Sequence, residues 1–446
     1  MSDLMAARTQ MATSLGFHII FAALGMGLPL LMVIAEGLYL KTGKPVYLAL
    51  AKRWSKAFAI LFAVGAVSGT ILSFELGLLW PRFMEYAGGI FGMPFSAEGF
   101  AFFIEAIFLG IYLYGWNRLS PRAHWLSGIP VAISGALSGI FVVAANAWMN
   151  SPSGFKIDAN GQPYDIDPVA AMLNDAWFQQ ALHMWIAAYV ATAFGVAGVY
   201  AWGLLRGRRD AYHLSAVKIA VGLGLIVSVL QAISGDISAK WVAENQPVKF
   251  AALEGHFETE SRAPLIIGGW PDPETRETNW AIKIPGGLSW LAHGDFNAEV
   301  TGLNEFPMED QPEPRVVHLA FQIMVGLGTT MILTSATIWF FAWRRKRFAL
   351  GPWQSRALVA LAPAGFIAIE AGWVVTEVGR QPWIIQGVMR TEDAVTQVPN
   401  QFVALGGFTA LYAMLAVACT WLLLLLAKHP PKIEELTHEE AAHAVA

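Results

Sequence analysis

The sequence predicts an all-α membrane protein of nine transmembrane helices, with a periplasmic N-terminus, a cytoplasmic C-terminus and one long periplasmic loop between helices 6 and 7. Of its 446 residues, 55% are hydrophobic and only 14% are charged, whereas a soluble protein carries roughly 25% charged residues. The mean hydropathy is +0.48. Apolar stretches near the ~20 residues needed to cross the hydrocarbon core recur along the chain, and basic residues concentrate in alternate loops.

The first apolar stretch, 15–39, is predicted to be a retained helix. It is longer than the ~7–15 apolar residues of a signal peptide and lacks a small-x-small cleavage site near its end. The other predicted helices are 57–76, 97–116, 124–148, 181–204, 216–235, 317–342, 356–376 and 402–427.

The distribution of basic residues predicts the orientation. Most of the 29 Lys and Arg residues follow the odd-numbered helices, and such loops remain in the cytoplasm. The chain is therefore divided into helices 1–6 (1–235), a periplasmic loop (236–316), helices 7–9 (317–427) and a cytoplasmic tail (428–446).

The long loop and the tail differ in character. The loop is acidic but contains aromatic and apolar stretches, which predict partial order. The tail is polar, and its histidines either bind metal or have no function. The single cysteine excludes a disulfide within the chain, and a net charge of −4 without a basic tract argues against nucleic-acid binding.

Ionisable residues within membrane helices are candidates for function because they are costly there. In the predicted orientation, His18, Glu98, His183 and Glu377 all lie near the periplasmic ends of their helices, as does Met324. This pattern predicts a site in the periplasmic half of the membrane.

Two pairs of these residues suggest specific chemistry. Glu98 and Glu105 lie two turns apart on one helix face, which fits either a proton relay or two structural carboxyl groups. A histidine and a methionine such as His183 and Met324 can ligate a low-spin haem, although with 15 methionines in the chain Met324 alone is more typical of packing.

Several local sequences together carry a family resemblance. In chain order they are RTQMATSLGFH, GTILSFELG, AEGFAFFIEAIFLGIYLYGW, VAANAWMNSP, QQALHMW, NQPVKFAALEGHFET, FQIMVGLG and GWVVTEVGRQPW. The set resembles subunit I of the cytochrome bd-type quinol oxidases over essentially the whole chain. The last motif and the one around Lys249 are the most specific.

The resemblance implies three haems. His183 and Met324 would ligate a low-spin haem b, while His18 and Glu377 would each ligate a high-spin haem, one being haem b and the other haem d or a further haem b. The haem surroundings implied are Trp373 between haems, Arg380 at a propionate and Arg8 near the His18 haem.

The resemblance also implies substrates and partners. Gln246, Lys249 and Glu254 would bind quinol in the long loop, and Glu98 and Glu105 would deliver protons to the oxygen site. Members of the family work in the bacterial inner membrane with a second membrane subunit, often with a small accessory subunit, among lipids.

Two positions depart from the family pattern. Gln322 stands where members often have arginine, and Glu75 where they often have glutamine. The short loop and Gln322 are both features that resemble the cyanide-insensitive branch of the family, in which haem d can be absent. For Glu75 the sequence suggests only a protonated structural carboxyl group.

The predicted function is that of a terminal oxidase. Quinol is oxidised at the outer face and O2 is reduced to water, which generates a proton motive force without pumping. The alternatives are a secondary transporter or ion channel, which would predict inverted repeats and broken helices, and a haem scaffold that passes electrons without reducing O2. The sequence does not distinguish ubiquinol from menaquinol.

Overall fold

A computed structural model describes residues 2–429, so most of the predicted tail at 428–446 lies outside the described residues, including His438 and His443. Within the described range, nine helices are long and apolar enough to cross a membrane. The prediction of a mainly helical protein with nine transmembrane helices is therefore confirmed. We number these spans in chain order: Asp3–Thr42, Pro45–Leu79, Pro81–Gly115, Pro121–Asn150, Trp177–Leu205, Ala211–Asn245, Pro314–Arg344, Pro352–Val378 and Gln401–Lys428.

The spans are longer than the apolar stretches that predicted them, because their helices continue into more polar flanking residues, and capping groups end some of them. The Ser2 hydroxyl accepts a hydrogen bond from the Met5 N–H at the start of span 1, and Gly43 ends that helix in the left-handed conformation at φ 65°. Proline occupies the first position of several spans, where its missing N–H costs nothing.

Span 3 shows the largest shift in a predicted start. It begins at Pro81, not near residue 97, because the polar and glycine-rich segment before Glu98 is helical. Glu98 consequently lies at the middle of span 3 and not near its start.

Span 8 is interrupted. It consists of helices Pro352–Ala360 and Ala364–Val378, which are separated by a turn that ends at Pro363. In the second helix, Gly365 allows close contact with span 5, since a Cβ at this position would lie 2.4 Å from the Cα of Ala191.

The segment between spans 6 and 7 has its own secondary structure. We call the end of the bundle at which this segment lies the loop end. Span 6 continues helically to Asn245, beyond the predicted residue 235. The elements that follow are helix Pro247–Glu254, strand pair Glu260–Ser261 with Glu299–Val300, hairpin Leu265–Asp272 with Glu277–Ile284, helix Gly287–His293, and 3-10 turns Leu303–Glu305 and Met308–Asp310.

Span 7 anchors this segment to the bundle. The His318 ring contacts the Leu253 and Gly268 carbonyl oxygens, each at 2.9 Å. Gln322 accepts a hydrogen bond from the Gly268 N–H at 3.0 Å and donates one to the Ile266 carbonyl at 3.2 Å. Gln322 thus holds the hairpin against span 7.

The remaining short elements lie in other connections. They are strand pairs Lys156–Ile157 with Pro163–Tyr164 and Trp383–Ile385 with Met389–Arg390, and helices Pro168–Met172 and Thr391–Ala394.

Candidate functional site

A cavity of about 460 Å³ lies among spans 4 to 8 and helix Pro247–Glu254. This volume falls within the ~300–1,000 Å³ typical of ligand sites. Its walls are mainly apolar, and they bring together two groups of residues that the sequence predicted separately. The predicted haem ligands His183 and Met324 line it, and so do the predicted quinol residues Gln246, Lys249 and Glu254.

The hydrogen bonds of His183 define which ring nitrogen can bind a metal. Its Nδ1 lies 3.0 Å from the Ser234 hydroxyl, and its Nε2 lies 3.0 Å from the Gln231 side-chain amide nitrogen. An amide NH2 group only donates, so Nε2 accepts from Gln231 and Nδ1, which faces Ser234, carries the hydrogen. A metal at Nε2 would take the place of the Gln231 contact. A metal-binding histidine needs this tautomer, with its second nitrogen held by another group.

Two glycines leave space beside the predicted axial pair. A Cβ at Gly372 would lie 3.1 Å from the Met324 sulfur, and one at Gly235 would lie 3.4 Å from the His183 ring. Trp373 also lines the cavity. A lone-pair imidazole nitrogen, a thioether and apolar walls form a donor set that fits a low-spin haem.

Asn150 organises the predicted quinol residues. Lys249 donates a hydrogen bond to the Asn150 side-chain oxygen at 2.6 Å, and the Gln246 side chain donates to the Asn150 carbonyl at 2.8 Å. Among the described residues, one side-chain oxygen of Gln246 and one of Glu254 have no hydrogen-bond partner although both are buried. These oxygens are free to bind a hydroxyl group in the cavity.

Burial changes the acid–base chemistry of this group. It raises the pKa of the Glu254 carboxyl group to about 8. Burial also lowers the pKa of the Lys249 ammonium group to about 7, and the positive charge of Arg380 acts in the same direction. Both groups therefore exchange protons near neutral pH, which suits proton transfer with a bound substrate.

His18 lies in a second environment between spans 1 and 2. Its Nδ1 lies 3.0 Å from the Ser68 hydroxyl, which leaves Nε2 available to a metal. A Cβ at Gly69 would lie 2.9 Å from the ring. Glu75, two turns beyond Ser68, is fully buried and accepts a hydrogen bond from the Gln10 side chain at 2.9 Å.

The carboxylate of Glu377 is held on both oxygens. Asn146 donates to one oxygen at 2.6 Å, and Arg380 forms an ion pair with the other. Arg380, predicted at a haem propionate, thus contacts Glu377 and also donates to the Ile384 carbonyl. A carboxylate keeps lone pairs beyond these two bonds, so Glu377 remains able to bind a metal. Arg8 is half-buried, and none of the described residues hydrogen-bonds or ion-pairs with it.

Glu98 and Glu105 lie outside the cavity, on the face of span 3 that packs against span 4. Ser138 donates a hydrogen bond to Glu98 at 3.2 Å. One Glu105 oxygen is buried without a partner among the described residues, and it would lie 3.0 Å from a Cβ at Gly135.

The structure also contains polar residues that the sequence interpretation passed over. Gln231, Asn146 and Asn150 are neutral, so a search for ionisable residues could not find them. Glu370, two turns before Glu377, is an ionisable residue within a predicted helix, so the sequence could have indicated it. One of its oxygens is buried without a partner among the described residues, and the other would lie 3.3 Å from a Cβ at Gly16.

The predicted clustering towards the loop end does not extend to every buried ionisable residue. Glu36 and His124 are both buried within spans at the opposite end of the bundle. Both lie next to a predicted helix boundary, where a charge costs little free energy because water is near. For this reason the sequence did not indicate them as candidates.

The chain is similar to known proteins over almost its whole length. The family model described as "Cytochrome bd terminal oxidase subunit I" matches residues 6–431. A "Putative cytochrome bd menaquinol oxidase subunit I" of Bacillus subtilis (strain 168) is 40% identical over 99% of this chain and 100% of its own length. "Cytochrome bd-II ubiquinol oxidase subunit 1" of Escherichia coli (strain K12) is 30% identical over 87% of this chain and 88% of its own.

A solved structure matches the fold. "The structure of bd oxidase from Geobacillus thermodenitrificans" superposes with a TM-score of 0.91 at 40% identity, and it covers 96% of this chain and 99% of that one. The apolar spans and these relatives make the chain a multi-pass protein of the bacterial inner membrane and an oxidoreductase. The chain belongs to the cytochrome bd terminal oxidase subunit I family.

Proposed function

We propose that this chain is the haem-bearing catalytic subunit of a terminal quinol oxidase, which oxidises quinol at the loop end and reduces O2 to water. The observation that carries the proposal is the single cavity lined by His183 and Met324 on one side and by Lys249 and Glu254 on the other. Electron transfer from a quinol to a haem requires such proximity.

The proposal allocates three haems. His183 and Met324 hold a low-spin haem b, with Trp373 beside it. His18 and Glu377 each hold a high-spin haem, one being haem b and the other haem d or a further haem b. Arg8 and Arg380 provide positive charge near these groups. Bound haem supplies one-electron transfer and oxygen reduction.

The protein residues in the cavity act on the quinol. Lys249, held by Asn150 at 2.6 Å, donates a hydrogen bond to a quinol oxygen. The unpartnered oxygen of Glu254 accepts the hydroxyl proton, which then leaves on the loop side. Gln246 orients the ring through its free side-chain oxygen.

Protons for oxygen reduction come from the opposite side through Glu105 and then Glu98. The basic loops predict that this opposite side is cytoplasmic. Inward proton movement across part of the membrane works against ~2.3 kcal/mol per charge per 100 mV, so a proton motive force arises without a pump.

The names of the relatives support the partner assignment. Each is described as subunit I or 1, which implies a second membrane subunit in the working oxidase; a small accessory subunit and membrane lipids complete it. Menaquinol and ubiquinol both occur in these names, so the substrate class proposed is quinol.

The proposal is tested on the purified complex with two measurements. A reduced-minus-oxidised spectrum should contain low-spin and high-spin haem bands, and quinol should drive oxygen consumption. A complex without haem bands would favour a transporter or channel, and low-spin bands alone would favour an electron-transfer scaffold.

The Glu254→Gln variant should slow quinol oxidation by about 10- to 100-fold, in line with the loss of a general base. The wild-type rate should rise with pH through about 8, because burial raises the pKa of Glu254 to about 8 and only the carboxylate accepts a proton. The variant should lose this rise, which steady-state oxygen consumption at a series of pH values measures.

The haem spectrum should stay unchanged in Glu254→Gln, and the exposed Glu274 provides a matched control. Glu274→Gln should retain both rate and pH profile. A wild-type pH profile in Glu254→Gln would show that the proton acceptor lies elsewhere.

A further inference from the structure

Three buried side chains from three spans form a closed hydrogen-bonded group at the end of the bundle opposite the loop. One Glu36 oxygen lies 2.7 Å from Nδ1 of His124, and the other accepts the Tyr112 hydroxyl at 2.7 Å. Nε2 of His124 lies 2.8 Å from the Tyr112 carbonyl oxygen. The residues are exposed by 2%, 0% and 2% in the order Glu36, Tyr112 and His124.

The hydrogen bonds of this group specify its protons. The Tyr112 carbonyl oxygen only accepts, so Nε2 of His124 carries a hydrogen. The Tyr112 hydroxyl donates to Glu36, so one further proton lies between Glu36 and Nδ1 of His124. The pair is neutral overall with the proton on either atom, which makes it a buried store of one transferable proton.

The group continues the line of carboxyl groups on span 3. Glu98, Glu105 and Tyr112 follow one another at intervals of seven residues, so they share one helix face. Successive members are separated by about 10 Å along the axis, so proton transfer between them requires bridging water. The helical Cα–Cβ direction also tilts the Tyr112 side chain back towards Glu105.

Span 4 packs closely along this same face through small residues. A Cβ at Gly128 would lie 2.9 Å from the Tyr112 ring, and one at Gly135 would lie 3.0 Å from the unpartnered Glu105 oxygen. Ser138, further along, donates to Glu98. One helix interface therefore runs from the three-residue group to Glu98.

The side of the group away from Glu105 faces the end of the bundle where the basic loop residues lie. The Trp116 ring lies 3.8 Å from the His124 ring, and the Lys52 ammonium group lies 5.5 Å from the centre of the Trp116 ring. Lys52 is one of the basic residues that predict the cytoplasmic side. The group thus lies between that surface and Glu105.

We propose that Glu36, Tyr112 and His124 form the proton-loading site that supplies Glu105 from the cytoplasmic side. The inference rests on the proposed proton delivery through Glu105 and Glu98. The Tyr112 hydroxyl, which donates to Glu36 at rest, turns away from Glu36 and releases its hydrogen through water to the Glu105 carboxylate, while the Tyr112 oxygen takes the proton of the Glu36 carboxyl group. Tyr112 stays neutral, Glu105 becomes protonated, and the Glu36–His124 pair regains a proton from water at the rim.

Glu36→Gln separates proton transfer from packing. The glutamine amide can donate to Nδ1 of His124 and its oxygen can accept from Tyr112, so the three hydrogen bonds persist without a transferable proton. In the purified two-subunit complex, proton uptake after oxygen is mixed with the reduced enzyme should slow at least fivefold, as followed with a pH-indicator dye. Haem spectra and anaerobic haem reduction by quinol should remain unchanged.

Tyr112→Phe is the second variant, because it removes the hydroxyl group and keeps the ring. It should slow proton uptake as well, whereas Glu85→Gln, which changes an exposed carboxyl group at the other end of span 3, should not. Normal proton uptake in Tyr112→Phe overturns the inference, even if Glu36→Gln fails to assemble. A wild-type complex that does not consume oxygen with quinol would instead contradict the proposed function.

Discussion

His183→Ala should abolish the low-spin haem band and reduce quinol-driven oxygen consumption by more than ~100-fold, while the polypeptide still inserts into the membrane. Loss of a residue that only orients a metal ligand already costs ~10–100-fold, and His183 would be the ligand itself. Ser234 holds Nδ1 and Gln231 donates to Nε2, so the ring has the tautomer that a metal ligand at Nε2 requires. Reduced-minus-oxidised spectra and an oxygen electrode measure the two effects.

The control for this variant is the exposed His293 in the long loop. His293→Ala should retain the full spectrum and rate. An intact low-spin band in His183→Ala would contradict the ligand assignment and leave the cavity as a quinol site alone.

Hydropathy predicted the number and order of the spans because crossing a bilayer requires length and apolarity, and both are local properties. It did not predict where the spans end. The helix before Glu98 contains polar and glycine residues that carry no apolar signal, yet the backbone satisfies its hydrogen bonds best by remaining helical from Pro81.

The structured loop shows a similar limit. Its hairpin depends on contacts with His318 and Gln322, which are distant in the sequence. The sequence alone could only indicate that apolar stretches in the loop require burial.

The candidate site was accessible from sequence where chemistry was attached to an ionisable residue. His183 was found in this way, whereas Glu254 was indicated by the family resemblance alone. The residues that hold them, such as Asn150 and Gln231, are neutral amides whose role depends on partners from other spans. Glu36 and His124 were missed because a charged residue near a predicted helix end is usually exposed to water. Only their contact with each other shows that they are buried as a pair.

The ion pair of Glu377 and Arg380 has two interpretations with different consequences. As a structural pair it joins the end of span 8 to strand Trp383–Ile385. As a haem site it supplies a carboxylate ligand whose charge is balanced by the guanidinium group. Asn146 donates to the same carboxylate in both cases, so the resting contacts alone do not separate them.

Glu377→Gln should remove one haem per complex and eliminate oxygen reduction, while the second subunit still assembles. The glutamine oxygen can accept from Asn146 or Arg380, which preserves part of the structural contact, but a neutral amide is a poor iron ligand. Haem extraction per polypeptide measures the loss, and Glu392→Gln, at an exposed position in the following short helix, should retain every haem. Full haem content with a lowered melting temperature in Glu377→Gln would make the pair purely structural. The second high-spin haem would then need a ligand elsewhere, for which the half-buried Glu370 on the same helix face is the next candidate.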